Sequence, residues 1–387
     1  MTSLGRLKLF RLLTVILMLL ALEAISYCAM WYNSQAFDWL SNKNYFRVRA
    51  MLIGDRRGAQ LPRYLTLPYM GYAPYPGYEK NGVVQHNPAG YRGEKVPLKR
   101  SSKLRVLCMG GSTTYGLAVS LPGESYPAQL EKMLNDRISH DAVLSQRYKG
   151  AEVINAGLEA GTSAEELSQY LFKYRYYRPD VIVVHSGVND AEVMNTIGPD
   201  FQIDYTHYRR LQFHLEPLPQ PAAFLLHSYF ISFMVIRLFY ENFYYSGTSG
   251  RECYTKQRGQ TFSHWNEMNM DSVFANHDYR YLPYYRNTKS LFQEIQRDSI
   301  ALLVLPNILN ERDAFVKNNQ LYLKRCNENI IMSYSLAQQT GGETIPFTYD
   351  SIRDAKWWVD DCHLNAAGEK NKAEIVLPHI IGTVTRK

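Results

Sequence analysis

Leu104-Arg105-Val106-Leu107-Cys108-Met109-Gly110-Gly111-Ser112-Thr113-Thr114-Tyr115-Gly116 is an apolar run that stops at two glycines and a serine. Such a run, too short for a buried helix and bounded by turn residues, predicts a buried strand. Downstream, Tyr126 to Ile138 carries apolar side chains at helical spacing. The segment therefore predicts a strand, a tight turn and a helix. Glu152 to Asn155, Val181 to His185 and Ile300 to Leu305 are further short runs, each ending near Gly, Asn or Pro and each separated from the next by at least one helix length. Strands that alternate with helices predict an α/β protein with a flavodoxin-like, doubly wound parallel sheet, an α/β/α sandwich with helices on both faces.

Outward from this core, the segment Ile197 to Tyr285 breaks the rhythm and is too long for an ordinary connection. It predicts a helical and loop-rich insertion over 197–285. Within it, 222–245 holds Phe224, Leu225, Leu226, Tyr229, Phe230, Phe233, Met234, Ile236, Leu238 and Phe239, interrupted by His227 and Arg237. That pattern predicts an amphipathic lid or membrane-surface helix, with a second membrane span as the alternative. Upstream of the core, 32–102 is rich in Tyr, Pro, Gly and Arg, with Pro62, Pro68, Pro74, Pro76 and Pro97 breaking any long helix. This predicts a lead-in segment packed on the main domain at 103–387. Tyr69, Tyr72, Tyr75 and Tyr78 lie in it, and a packed loop is the preferred reading over a sugar-stacking surface.

The N-terminus is a basic tail, 1–11, with Arg6, Lys8 and Arg11 and no acid, followed by an apolar run over 12–31. About 20 apolar residues suffice to cross a bilayer core, and the basic flank places the N-terminus in the cytoplasm. The expectation is an uncleaved single-pass signal anchor with the remaining chain outside the cytoplasmic membrane, periplasmic or otherwise extracytoplasmic. Glu23 is costly in lipid, so it is expected near the outer interface or against a partner helix.

The 387 residues are 46% hydrophobic and 20% charged, with a formal net charge of +7. This excludes a disordered chain, and the positive surplus is spread out rather than gathered into a nucleic-acid-binding run, so no nucleic-acid partner is expected. Five cysteines are present. Cys28 falls in the anchor and Cys108 in a buried strand, leaving one disulfide possible among Cys253, Cys326 and Cys362 with the pairing open. No Cys/His cluster has zinc spacing, and no metal or cofactor is expected.

Four polar segments carry chemistry. Ser112 stands where a strand gives way to a helix, close to backbone donors that can stabilise an anion. Val153-Ile154-Asn155-Ala156-Gly157 and His185-Ser186-Gly187-Val188-Asn189-Asp190 end the next two strands, on the carboxyl edge where open α/β sheets bind ligands. Asp360-Asp361-Cys362-His363-Leu364-Asn365 puts an acid three residues before a histidine.

In order and spacing these segments resemble the blocks of the SGNH hydrolases, the GDSL-like esterases, lipases and acyltransferases. Gly110-Gly111-Ser112 resembles the first block, with Gly111 where the family often has Asp; Gly157, Gly187-Val188-Asn189-Asp190 and Asp360 to His363 resemble the other three. Asn87-Pro88-Ala89-Gly90-Tyr91-Arg92-Gly93 is similar to a lead-in of membrane-anchored or exported members. The resemblance implies Ser112 as nucleophile, His363 as general base and then acid, and Asp360, rather than its neighbour Asp361, as the group orienting the imidazole. It implies an oxyanion hole from the N–H groups of Ser112 and Gly157 and the side-chain amide of Asn189. Asp190 is expected to brace the Asn189 loop, His185 to be a buried core histidine, and Cys362 to pack or pair.

The implied function is a serine esterase or deacylase that passes the acyl group of an O-acylated envelope glycan, polysaccharide or lipid through an acyl-enzyme. An O-acetyltransferase working with a membrane acyltransferase partner is the alternative, and a non-catalytic envelope scaffold that kept the fold is the second.

Overall fold

The computed structural model describes residues 3–35, 45–53, 63–67, 69–195, 205, 218–240, 276, 279–352 and 354–386. The chain divides into two compact units, Met1–Thr66 with Arg209–Cys253, and Leu67–Tyr208 with Tyr254–Lys387.

The larger unit is built on five parallel strands: β1 (Leu104–Gly110), β2 (Ala151–Gly157), β3 (Val181–His185), β4 (Ala301–Val304) and β5 (Glu343–Thr344), in the spatial order β2-β1-β3-β4-β5. This is the doubly wound order, with the direction in which strands are added across the sheet switching between β1 and β3. The register places Gly110 opposite both Gly157 and His185, so three polar strand ends meet at one edge.

Both faces of the sheet are covered, which is why β1, β2 and β3 are buried along their whole length. On one face, Leu104, Val106, Cys108, Val181 and Val183 pack in one apolar cluster with Tyr126, Leu130 and Leu134 of α4 (Tyr126–His140) and with Ala373, Val376 and Ile380 of α13 (Ala366–Thr385). The intervening Leu107, Met109, Ile154, Ile182 and Val184 point the other way, where they cluster with Leu291, Phe292 and Ile295 of α10 (Pro283–Arg297) and Leu336 and Ala337 of α12 (Gln320–Gln339). The period of two along each strand fixes this partition. Three shorter helices complete the carboxyl edge: α3 (Ser112–Tyr115), α6 (Ser163–Phe172) and α7 (Val188–Asn195). Helix α6 starts in a capping box, with Thr162 and Glu165 satisfying each other's end of the first turn.

The smaller unit contains α1 (Ser3–Gln35), α2 (Tyr45–Ile53), α8 (Ala222–Leu225) and α9 (Tyr229–Val235), the last continued by a π-helical turn to Tyr240. Its core joins Met30, Tyr45, Val48, Leu52, Leu226 and Ile236. Within α1, Gly5–Tyr32 is long and apolar enough to cross a membrane, and 6% of its most apolar window is buried.

Two organisational expectations change. The 32–102 lead-in is divided: its residues up to Thr66 belong to the smaller unit and those from Leu67 to the larger. The part of the 197–285 insertion described at 218–240, expected as an amphipathic lid or membrane-surface helix, belongs to the unit of the N-terminal helix rather than to the larger one, with apolar side chains clustered with α1 and α2. Residues 246–275, most of the 246–282 stretch expected to be loop-rich and polar, and Cys253 lie outside the described residues.

Candidate active site

The site grows from the end of β1. Ser112 is the first residue of α3, capped by Gly111, so its N–H has no acceptor within the helix. Its side chain is 9% exposed, open enough to be reached and enclosed enough to be held. His363 arrives from the turn before α13, and its Nε2 is 2.8 Å from Ser112 Oγ. The other ring nitrogen, Nδ1, is 2.8 and 3.0 Å from the two carboxylate oxygens of Asp360. The Asp360 Oδ1 also accepts the backbone N–H groups of Cys362 and His363, at 3.0 and 2.7 Å. Burial pushes this carboxyl upward, but the hydrogen bond and positive charge of His363 and the two backbone donors outweigh it, and the pKa falls to about 2. Asp360 is thus held ionised against the imidazole. The neighbouring Asp361 is pushed up by burial and by the charge of Asp360, and its backbone carbonyl accepts from Asn310 N at 2.7 Å. The three-residue turn gives Asp360, not Asp361, the reach to Nδ1.

Asn189 sits on the first turn of α7, just past β3, and its Nδ2 donates to Gly161 O at 2.8 Å. That nitrogen also explains the glycine at 111: a Cβ there would lie 2.7 Å from Asn189 Nδ2. The space that a side chain at 111 would need is filled by the amide.

Gly157 is placed differently from its expected role. Its N–H donates to Asn155 Oδ1 at 3.0 Å, so that donor is engaged inside its own strand end. What the glycine does there is steric, since a Cβ would fall 2.1 Å from the backbone N of Tyr115. The absence of a side chain lets β2 press against the helix that carries Ser112.

Other candidates fall where the sequence suggested. Asp190 is fully buried and accepts from Ser163 N at 3.0 Å, Ser163 Oγ at 2.6 Å and Tyr205 OH at 2.9 Å, bracing the start of α6 beside Asn189. Burial raises its pKa to about 6. His185 is buried with Nδ1 3.2 Å from Leu305 O, and burial lowers its pKa to about 3, keeping it neutral. Cys326 and Cys362 are unpaired and share a buried apolar cluster, which pushes both thiols up. Of the four lead-in tyrosines, Tyr72 donates its hydroxyl to the Glu159 carbonyl and Tyr78 packs on His86, whereas Tyr69 is exposed. Asp360, Cys362 and His363 are close enough together to hold a metal, but both ring nitrogens of His363 are already committed to Asp360 and Ser112.

Several supporting residues escaped the sequence reading. Lys372 Nζ, buried in α13, donates to Thr113 O at 2.9 Å and to Glu369 Oε1 at 2.9 Å, while Glu369 Oε2 accepts Tyr126 N at 2.8 Å. Asn307 Nδ2 donates to Thr113 Oγ1 at 3.1 Å. On the far side, the Arg92 guanidinium lies 4.6 Å over the Tyr115 ring and donates to Val119 O, and His86 Nε2 is 2.9 Å from Tyr115 OH. Arg92 carried a signal in the Asn87–Gly93 motif; Lys372 and Glu369 read as surface residues of a charged helix until the fold buries them.

The five-stranded parallel sheet carries Ser112, Asn189, Asp360 and His363 at its carboxyl edge. No family model matches the chain. An acetylxylan esterase of Xylanibacter ruminicola is 28% identical over 119 residues, 29% of this chain, and the chain spans about a fifth of that relative's length. Among solved structures, a lipase/acylhydrolase from Enterococcus faecalis has 13% identity and a TM-score of 0.39, covering 72% of this chain and 95% of that one. A catalytic mutant of an acetylxylan esterase from Geobacillus stearothermophilus has 14% identity and a TM-score of 0.39, covering 71% and 93%. A GDSL-like lipase from Parabacteroides merdae has 11% identity and a TM-score of 0.42, covering 73% and 97%. At these levels they are likenesses, and the chemistry has to follow from this chain's own side chains.

Proposed function

We propose that this protein is a serine esterase that removes an acyl group from an O-acylated glycan, polysaccharide or lipid of the cell envelope. The reading is carried by one observation: a single histidine bridges the Ser112 hydroxyl and the Asp360 carboxylate, 2.8 Å to each. His363 takes the Ser112 proton as Oγ attacks the ester carbonyl, then returns it to the leaving alkoxide; the acyl-enzyme is hydrolysed by the same steps with water as nucleophile. Asp360 holds the ring with Nε2 toward the serine and stabilises the imidazolium that forms. Negative charge on the tetrahedral intermediate is met by the Ser112 N–H and the Asn189 amide, and losing one such donor costs about 3–4 kcal/mol in the transition state.

Small acyl groups, acetyl first among them, fit the acetylxylan esterase relative and neighbour. The envelope assignment rests on α1: its basic N-terminal flank, Arg6, Lys8 and Arg11, leaves that end in the cytoplasm and the larger unit on the opposite side.

The test is intact-mass analysis of the detergent-solubilised full chain after exposure to a fluorophosphonate. One phosphonyl addition per chain, absent in Ser112→Ala and strongly slowed in His363→Ala, is expected. A folded wild-type protein that stays unlabelled would overturn the assignment. Acetyl release from acetylated oligosaccharides then separates a deacetylase from an enzyme for longer acyl chains.

A further inference from the structure

The smaller unit contains a turn whose polar groups are closed off in an unusual way. Between α8 and α9 the chain leaves the helix at 226–228, and the backbone groups there meet partners from within the same unit, while the exposed His227 ring turns its Nδ1 to Phe224 O at 3.1 Å. Arg49 Nε donates to Leu226 O at 2.8 Å and Arg49 Nη2 to His227 O at 2.9 Å. Ser232 Oγ adds a second bond to Leu226 O at 2.6 Å. At the start of α9, Tyr229 N donates to Glu23 Oε2 at 2.7 Å, Ser228 Oγ donates to Glu23 Oε1, and Ile231 N donates to Ser228 Oγ at 3.2 Å. Water-exposed turns do not require this; a turn in contact with hydrocarbon does, because lipid offers no hydrogen bonds.

The surface around the turn has the complementary character. Over 218–240 the only Lys, Arg, Asp or Glu is Arg237. Phe224, Leu225, Phe230, Met234, Leu238 and Phe239 are exposed, Phe224 and Phe239 each at 68%. Isolated exposed apolar residues are ordinary, but six over 224–239 make an apolar surface that needs a cover.

Glu23 sets the depth. It lies nine residues before Tyr32, the outer end of the apolar stretch Gly5–Tyr32, which at 1.5 Å per residue is about 13 Å inward. The 28-residue stretch is about 42 Å long and matches a bilayer of about 40–45 Å including headgroups. Glu23 therefore lies several ångströms below the outer hydrocarbon boundary, where an unpartnered carboxylate is expensive. The N-terminus of α9 supplies its hydrogen bonds and is drawn to the same level.

We propose that α8, α9 and the turn to Tyr240 form a re-entrant helical pair immersed in the outer leaflet, docked on α1 through Glu23 and covered by lipid acyl chains. Arg49 lies at the headgroup level, its guanidinium over the Tyr229 ring at 4.7 Å and its donors reaching down to the turn. The protein is then held by a three-helix membrane-embedded unit rather than by a single tether. This rests on the reading of α1 as membrane-spanning, and the test keeps the two separable.

The experiment places the photocrosslinking residue p-benzoylphenylalanine at Phe224 or Phe239 of the full chain in native membranes, with Phe10 of α1 and the exposed Phe315 of the larger unit as references, and reads adducts by mass spectrometry. Phospholipid adducts at Phe224 and Phe239 at the level of Phe10, with none at Phe315, are expected. Lipid adducts at Phe10 but none at Phe224 and Phe239 would overturn the proposal while leaving the anchor intact. Protein adducts at Phe224 and Phe239 would overturn it in favour of a partner helix. An absence of lipid adducts at Phe10 would refute the anchor itself and the proposal with it.

Discussion

Substituting Gly111 by alanine puts one methyl group against the proposed oxyanion donor and leaves the catalytic residues themselves unaltered. Gly111 has φ −82°, outside the left-handed region that favours glycine, so the substitution acts first through the space its Cβ takes. The added Cβ would lie 2.7 Å from Asn189 Nδ2, whereas ordinary contact begins near 3.4 Å. The amide must therefore retreat by about 0.7 Å, breaking its 2.8 Å bond to Gly161 O. Loss of that hydrogen bond costs about 1 kcal/mol of stability. Misplacing the donor costs far more in rate: about 3 kcal/mol, or roughly a hundredfold in kcat, because the donor's value depends on its aim. The assay is a double-mutant cycle on ester hydrolysis with Gly111→Ala, Asn189→Ala and both together, alongside thermal unfolding. The double variant should be no slower than Asn189→Ala, since each substitution removes the same interaction. Full activity in Gly111→Ala, or losses that multiply in the double variant, would refute the reasoning.

Three further outcomes follow from the geometry. Asp360→Asn should lower kcat by about three to four orders of magnitude by presenting the wrong tautomer of His363, with fluorophosphonate labelling slowed in parallel. Lys372→Met leaves Glu369 charged, buried and without its partner, and should destabilise the protein by about 3–5 kcal/mol in urea unfolding; a Lys372→Met/Glu369→Leu pair should recover much of that loss. Asp190, with a pKa raised from 3.8 to about 6, is protonated more readily in the folded than in the unfolded state. Its contribution is therefore fully present below about pH 4 and is lost as pH rises through 6, a change of about 3 kcal/mol that should vanish from the stability-pH profile of Asp190→Asn.

The sheet was legible because its strands are buried on both faces and so appear as short apolar runs, Val106 to Met109 and Val181 to Val184 among them. The line from Ser112 through His363 to Asp360 was expected from the SGNH resemblance, and the short step from Asp360 to His363 brings the carboxylate to Nδ1. Gly157 has a steric use that the sequence did not show. A glycine at a strand end can expose its N–H or admit a neighbouring backbone, and only the position of Tyr115 and the side chain of Asn155 show that the second holds here. The insertion was recognised as apolar and out of rhythm, but amphipathicity does not say which element it covers.

By itself, then, the sequence determined the class of fold and the order of the polar strand ends through local periodicity, and its resemblance to the SGNH hydrolases pointed to Ser112, Asn189, Asp360 and His363. The tertiary structure decided what depends on approach between distant segments: that Gly111 leaves room for Asn189, that Lys372 and Glu369 are buried behind the nucleophile, and that Glu23 meets the start of α9. These contacts join residues as far apart as Glu23 and Tyr229, and no period along a chain encodes a hydrogen bond across 206 positions.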